Sequence, residues 1–228
     1  MDTPVGISTG AVSRDDVLIG IAVNDAHTCD LVELSSLDEI ELPQVEQAIA
    51  THAADHFARC SVHGPAKGRA LPEAELIRRL AALERDIVMH PDIFEDLAAW
   101  QVLGPRLLVE NNDRRKKFGG AVEDLDAVFD LVPDAGFCLD VSHAMSVGGM
   151  THVARLAHRY ADRLVQLHAG CSCGDPLGVE FGVEIPAAVR LACETAGRAI
   201  PVVLERSTPA DLVRVLDRQL DSVRGALV

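Results

Sequence analysis

Seven short apolar runs of the chain each end in an acid or a histidine. The terminal residues are Glu33, His63, His90, Glu110, Asp140, His168 and Glu205. They follow one another at steps of 30, 27, 20, 30, 28 and 37 residues, which is about the length of one strand plus one returning helix. Asp and Glu number 35 and His 9 among 228 residues, so chance alone would end about one strand in five this way. The pattern predicts repeated strand–helix units whose strands all finish at one common edge.

Parallel strands that alternate with helices form either an open doubly wound sheet or a closed barrel. In an open sheet the ligand residues gather at a single switch point. Here nearly every strand ends in a polar residue, so all the strand ends must face a common axis. We therefore predict an α/β fold, a parallel eight-stranded (β/α)8 TIM barrel, with its site on the C-terminal face.

The apolar run at residues 17–23 is predicted to be the first strand. The second strand begins at Leu31, too soon for a full helix, so the first crossover helix is expected to be abbreviated. Residues 1–15 are polar with scattered Gly and Pro and are expected to form a flexible N-terminal arm. Residues 16–228 then make a single TIM-barrel domain. Helical spacing predicts helices at residues 43–54, 72–85, 93–103, 122–132, 151–161, 185–196 and 209–228.

The composition of the chain limits which classes of binding partner are expected. The net charge of −14 opposes binding to a phosphate backbone, so nucleic acid is not expected as a partner and a small-molecule substrate is. The first 16 residues lack the features of a secretory leader, and no run reaches the roughly 18 apolar residues of a membrane span. We expect a cytoplasmic protein that does not use the membrane, and the sequence leaves a homo-oligomer open.

The six cysteines do not form a disulfide framework. Cys60 and Cys138 lie inside strand runs, where a free thiol acts as a small hydrophobe. Cys171 and Cys173 differ because they follow His168 in a Gly-rich loop. A soft-metal or redox role and an ordinary loop both remain open for this pair.

Two local patterns near the expected rim carry candidate chemistry. Asp140 and His143 leave a strand together and could supply oxygen and nitrogen ligands suited to zinc, manganese or iron. The alternative is that Asp140 caps the next helix and His143 is exposed. Residues 114–117 form the densest basic run, either a solvated loop or a holder of a substrate phosphate.

The order of these residues resembles a known family. The resemblance depends on the pattern Glu110-Asn111, Asp140-x-x-His143, His168 and Glu205. The segments Val32-Glu33-Leu34, His63-Gly-Pro and His90-Pro fit the same family. It is similar to the xylose isomerase-like TIM barrels, the superfamily of sugar isomerases and epimerases together with endonuclease IV. The resemblance covers the chain from the predicted first strand onward.

The resemblance implies a metal-dependent isomerase or epimerase of a sugar, sugar phosphate or polyol. In epimerase-type members the residues matching Glu110, Asp140, His168 and Glu205 bind one divalent metal, here Mn, Zn, Co, Mg or Fe. The two glutamates also move a proton through an enediolate, and His143 would steady a substrate oxygen. The expected substrate contacts are Glu33, His63, His90, Asn111, Lys116 and Arg206. For Glu33 a buried polar contact below the rim is the alternative.

Two other activities stay open. In endonuclease IV the residues matching His63, His90 and Glu110 hold a further zinc, so a second metal on His63 and His90 would make a dinuclear zinc phosphoesterase. The Asp-x-His that holds the third zinc there is missing, because residues 171–178 read Cys-Ser-Cys-Gly-Asp-Pro-Leu-Gly. The third hypothesis is a multinuclear iron enzyme that oxidises a peptide or small molecule.

Overall fold

The computed structural model describes residues 3–13, 15–67, 70–170, 184–205 and 213–227. Within these residues eight parallel strands close into a barrel in sequence order. The strands are β1 (Val5–Ser8), β2 (Leu31–Ser35), β3 (Arg59–His63), β4 (Asp86–Met89), β5 (Leu107–Glu110), β6 (Gly136–Asp140), β7 (Leu164–Ala169) and β8 (Val202–Leu204). The predicted (β/α)8 barrel is confirmed.

Helices connect the strands on the outside of the barrel. They are α1 (Thr9–Val12), α2 (Val17–Ala26), α3 (Leu42–Ala50), α4 (Glu73–Ala82), α5 (Val122–Leu131), α6 (Val141–Arg159), α7 (Glu184–Ala196) and α8 (Val213–Ala226). Between β4 and β5 the chain forms 3-10 turns, Pro91–Ile93 and Leu97–Arg106, where an α-helix was expected. The second of these is broken at Gly104, whose φ is 54° and which precedes a proline.

The N-terminal predictions were wrong. Residues 17–23 lie in α2, and the first strand is Val5–Ser8, which pairs with both β2 and β8. Residues 5–12 therefore belong to the barrel and not to an arm, and the first crossover contains a helix of ten residues. The side chain of Asp16 accepts a hydrogen bond from the Leu18 backbone N–H and so caps α2.

The buried apolar side chains of the described residues form two clusters. A large core of buried residues lies between the strands and the surrounding helices, and a small cluster of Val88, Leu108 and Cys138 forms separately from it. Successive side chains of a strand point to opposite faces. Glu110 and Asp140 stand two residues beyond members of the small cluster, so both lie on the barrel-interior face at the strand ends.

Helix α6 begins directly after β6 and about ten residues before the predicted start at residue 151. It is interrupted at Gly148 and Gly149, and the latter has a φ of 63°. None of the helices in the part of the chain that the structure describes has the length and apolar character needed to span a bilayer. The described cysteines, Cys29, Cys60, Cys138 and Cys193, are free thiols.

Candidate metal centre

Two groups of side chains at the C-terminal end of the barrel have the spacing of metal ligands. The first contains His63, Glu110, His168 and Glu205, each with one ligand atom within 4.8 Å of the others. The second contains His90, Glu110 and His143, whose ligand atoms also lie within 4.8 Å of one another. Both groups share Glu110, so this carboxylate lies at the centre of the arrangement.

Strand register explains why these residues meet. His63 ends β3, Glu110 ends β5, and His168 lies near the end of β7 opposite Asp140. In a closed barrel of this size the strand ends converge on one axis. The predicted gathering of polar strand ends is thus realised for Glu110, His168 and Glu205, with His63 as the fourth member of their group.

Glu110 is fully buried and is approached by imidazole nitrogens from several sides. Its Oε2 lies 3.2 Å from His63 Nε2, 3.6 Å from His90 Nε2 and 3.4 Å from His168 Nδ1. Its Oε1 lies 3.4 Å from His143 Nδ1. Among the described residues, neither oxygen has a partner with hydrogen-bond geometry. Buried carboxylate oxygens without donors are costly, and a bound cation would remove that cost.

The imidazole orientations fit the same conclusion. His63 Nδ1 lies 2.8 Å from the carbonyl oxygen of Gly64, which fixes a proton on Nδ1 and turns Nε2 towards Glu110. A backbone carbonyl is a usual partner for the non-ligating nitrogen of a metal-bound histidine. Within the described part of the chain, no group meets the buried Nδ1 of His168 or of His90 with hydrogen-bond geometry. The donor set of imidazole and carboxylate therefore suits a divalent transition metal.

The ionisation of the group reflects burial and strong mutual attraction. Burial favours neutral His63, but contact with Glu110 and the charge of Glu205 outweigh it and raise the pKa of His63 to about 9. Burial dominates at His90 and lowers its pKa to about 4. Burial also raises the pKa of Glu205, whereas the pKa of Glu110 falls well below its usual value because its interactions with the surrounding histidines exceed the effect of burial. Positive charge on histidines balances the carboxylates, and a divalent cation would supply that charge instead.

Asp140 belongs to neither group. Its Oδ1 accepts a hydrogen bond of 2.7 Å from the His143 backbone N–H, and its Oδ2 lies 3.5 Å from His143 Nδ1. Asp140 is thus the N-cap of α6, as the capping alternative predicted. Burial raises the pKa of the Asp140 carboxyl. The role of Asp140 as a metal ligand stays a prediction.

His143 occupies the first turn of α6 and its side chain is 21% exposed. Its Nδ1 lies 2.9 Å from the carbonyl oxygen of Asn111. Burial lowers the pKa of His143, but the nearby Asp140 and Glu110 carboxylates outweigh burial and raise it to about 10. His143 can therefore present a cationic donor to an oxygen atom at the mouth of the site.

Several expected substrate contacts have other partners. Asn111 is fully buried, and both polar atoms of its side chain bond to the Asp140 backbone. Its side chain therefore joins the ends of β5 and β6, and its role as a substrate contact stays a prediction. Glu33 is also fully buried and lies below the rim, as its alternative predicted. Lys116 pairs with Asp92 at 2.6 Å. Arg206, Cys171 and Cys173 lie outside the described residues.

Sequence reasoning missed two residues of the site. Ser61 and Gln166 are buried, and each donates a hydrogen bond to Glu33, at 3.1 Å and 2.7 Å. The sequence contained a signal for them, because each is a polar residue inside a strand, two positions before a histidine at or near the end of that strand. Residues two apart on a strand share a face, so both point to the barrel interior below that histidine.

The site and the barrel together define a class, a (β/α)8 barrel with a buried histidine–carboxylate centre at its C-terminal end. No protein-family model and no curated protein matches the chain. Solved structures match along its whole length. A D-tagatose 3-epimerase-like protein has 15% identity and a TM-score of 0.66, with 99% of this chain and 100% of that chain covered.

An L-ribulose 3-epimerase has 17% identity and a TM-score of 0.68, with coverages of 99% and 94%. The IolI protein, solved with a bound zinc atom, has 12% identity and a TM-score of 0.69, with 99% of both chains covered. At such identities the likeness establishes the fold. The chain shares the (β/α)8 barrel fold of these three proteins.

Proposed function

We propose that the protein is a divalent-metal-dependent isomerase or epimerase of a sugar, sugar phosphate or related polyol. The observation that carries the proposal is the meeting of Glu110 and Glu205 with His63 and His168 in one buried group. The sugar epimerases among the structural neighbours support this class of reaction. The mixed imidazole and carboxylate donors favour Zn, Mn, Co or Fe over Mg, which prefers oxygen ligands.

The ligands in this proposal are Glu110, Glu205 and His168, with Asp140 as the predicted fourth and His63 alongside them. A bound divalent cation would polarise the hydroxyl and carbonyl oxygens of the sugar and so acidify the C–H bond between them. His63 fits the role of a ligand or a substrate contact through its Nε2, which faces Glu110.

Proton transfer in this proposal belongs to the two glutamates. Glu110 is the last residue of β5 and Glu205 follows β8. These strands are not neighbours in the barrel, so the carboxylates approach the axis from different sides. One takes the carbon-bound proton of the substrate to give the enediolate, and the other returns a proton to the opposite face. The raised pKa of Glu205 brings this group nearer the value at which a carboxyl both gives and takes protons at neutral pH. His143 donates a hydrogen bond to a substrate oxygen.

Solvent deuterium exchange tests this proposal. Wild-type protein loaded with Mn²⁺ or Zn²⁺ is incubated in D₂O with a panel of ketoses and ketose phosphates, and incorporation at the reacting carbon is followed by NMR. Glu205→Gln and Glu110→Gln should each slow exchange by about 10²–10⁴ because general acid–base catalysis contributes that much. Glu123→Gln, a change at a glutamate whose side chain is 78% exposed, is the matched control. Absence of exchange across the panel with wild-type protein would contradict the assignment.

One observation favours a second candidate function, a dinuclear phosphoesterase. His90, Glu110 and His143 form their own ligand-spaced group and share Glu110 with the first. A carboxylate placed between two ions is the arrangement of a two-metal hydrolase. Two zinc ions per chain together with hydrolysis of bis(p-nitrophenyl) phosphate would favour this candidate. Two or more iron ions with oxygen uptake would favour the oxidative hypothesis.

A further inference from the structure

Glu33 is a buried carboxylate one layer below the candidate metal centre. It pairs with Ser61 in the strand register, whereas Ser35, two residues later, pairs with His63. The Glu33 side chain is fully buried. A carboxylate at this depth cannot reach a substrate bound at the strand ends, so its charge needs another explanation.

The contacts of Glu33 cross the interior of the barrel. Its Oε2 accepts hydrogen bonds from Gln166 Nε2 at 2.7 Å and from Ser61 Oγ at 3.1 Å, and it lies 3.1 Å from His168 Nε2. Gln166 and His168 belong to β7, which does not neighbour β2 in the barrel. Glu33 Oε1 has no hydrogen-bond partner among the residues that the structure describes. This placement is a poor means of stabilisation, because burying a carboxylate is costly and one of its oxygens is left unpaired.

The same contacts give a proton on His168 Nε2 an acceptor. Two atoms lie near its Nε2, namely Glu33 Oε2 at 3.1 Å and Gln166 Nε2 at 2.9 Å. An amide nitrogen donates and does not accept. A proton on His168 Nε2 is therefore directed at Glu33, while Gln166 donates to the same carboxylate. The other nitrogen, Nδ1, faces Glu205 Oε2 at 3.1 Å and Glu110 Oε2 at 3.4 Å.

We propose that Glu33 is a positioning residue that holds the proton of His168 on Nε2 and so keeps the Nδ1 lone pair directed at a metal ion between Glu110 and Glu205. A carboxylate that accepts from the non-ligating nitrogen both sets the tautomer and makes the imidazole a stronger ligand. The inference rests on the metal site of the proposed function. It assigns to Glu33 a role on the metal through His168 and no contact with the substrate.

Glu33→Leu is the main test, because it keeps a similar volume and removes the acceptor. Gln166 would then be the remaining neighbour of His168 Nε2 among these contacts. Since the Gln166 Nε2 that faces His168 can only donate, His168 should move its proton to Nδ1. The expected results are a 10- to 100-fold loss of zinc affinity in calorimetric titration and an exchange of the two imidazole ¹⁵N shifts of His168. The shifts are measured on metal-free protein labelled with ¹⁵N-histidine, at a pH high enough for His168 to be neutral. The signals of His168 are assigned by their absence from the spectrum of the His168→Gln variant.

Ser61→Ala is the matched control, since it removes another donor to the same oxygen without touching His168. Its zinc affinity and ¹⁵N shifts should stay close to those of wild type. Glu33→Gln retains an oxygen acceptor, so His168 should keep its Nε2 proton and the affinity should fall several-fold only. If Glu33→Leu does not fold, Glu33→Gln tests the positioning role of Glu33 in its place.

These experiments can contradict the metal site and the positioning role of Glu33 independently of each other. Wild-type protein that binds no zinc would contradict the metal site and the proposed function, while the ¹⁵N shifts of the metal-free variants would still report on Glu33. Wild-type protein that binds zinc, with a folded Glu33→Leu variant of equal affinity and unchanged ¹⁵N shifts, would overturn the positioning role alone. Equal affinity and unchanged shifts in Glu33→Gln would do the same if only that variant folds.

Discussion

Asn111 and Asp140 hydrogen-bond to each other in both directions. Asn111 Nδ2 donates to the Asp140 carbonyl oxygen at 3.0 Å, and the Asp140 backbone N–H donates to Asn111 Oδ1 at 2.9 Å. Both residues are buried. The side chain of Asn111 thereby continues the pairing of β5 with β6 past the last residue of β5, and it fixes the spacing between the ends that carry Glu110 and Asp140.

Asn111→Ala should lower the free energy of unfolding by about 2–4 kcal/mol, because it leaves a buried N–H and a buried carbonyl of Asp140 without partners. Urea denaturation of the metal-free protein measures the change. Ser146→Ala, which removes a hydroxyl bonded to the His143 carbonyl in the neighbouring helix, is the control and should cost less than about 1 kcal/mol. An equal loss in both variants would contradict the role given to Asn111.

Asp92 connects the turn after β4 to the loop after β5. Its Oδ1 accepts from Asn112 Nδ2 at 2.8 Å, and its Oδ2 pairs with Lys116 Nζ at 2.6 Å. Burial raises the pKa of Asp92, but these two partners outweigh burial and the net shift is downward. The native state thus binds fewer protons than the unfolded state, so the Asp92 contribution rises with pH in the acid range. It is complete above the ordinary Asp pKa of about 3.9 and disappears as pH falls through the lower, folded-state value.

Asp92→Asn should therefore destabilise the protein most at neutral pH, and its difference from wild type should shrink as pH falls below about 4. Urea denaturation between neutral and acid pH provides the comparison. Asp134→Asn, at an exposed position, should change stability little throughout. A wild-type to Asp92→Asn difference that is constant with pH would show that ionisation of Asp92 is not what stabilises these loops.

Much of the barrel is predictable from the sequence because apolar runs that end in an acid or a histidine recur along the chain. Six of the seven polar-ended runs finish within a residue of where the strand ends in the structure, and β2 alone continues two residues past Glu33 to Ser35. The first strand was missed for a physical reason. A seven-residue apolar run fits a buried strand or a helix equally well by periodicity. In the helix α2, Leu18 is 53% and Ile19 48% exposed, so the run carries apolar residues on its outer face as well.

From the sequence, only the gathering of residues at the strand ends could be predicted for the site. The sequence indicates that Glu110, His168 and Glu205 come together, since parallel strands end at one edge. It does not show which other side chain completes the group, because that depends on rotamers and on contacts across the barrel. In the structure His63 is the fourth member of the group and Asp140 caps α6, while the ligand role of Asp140 stays a prediction. The two hydrogen bonds of Asn111 could not be read from its place after Glu110.

Crystallography of the zinc-loaded protein tests the central claim most directly. An anomalous difference map at the zinc edge should show one strong peak at roughly 2.0–2.3 Å from His168 Nδ1 and from oxygens of Glu110 and Glu205. The same map will decide between Asp140 and His63 as the remaining ligand. No anomalous peak within bonding distance of His168 Nδ1, in crystals soaked with zinc, would contradict the claim that this barrel holds a metal ion at its strand ends.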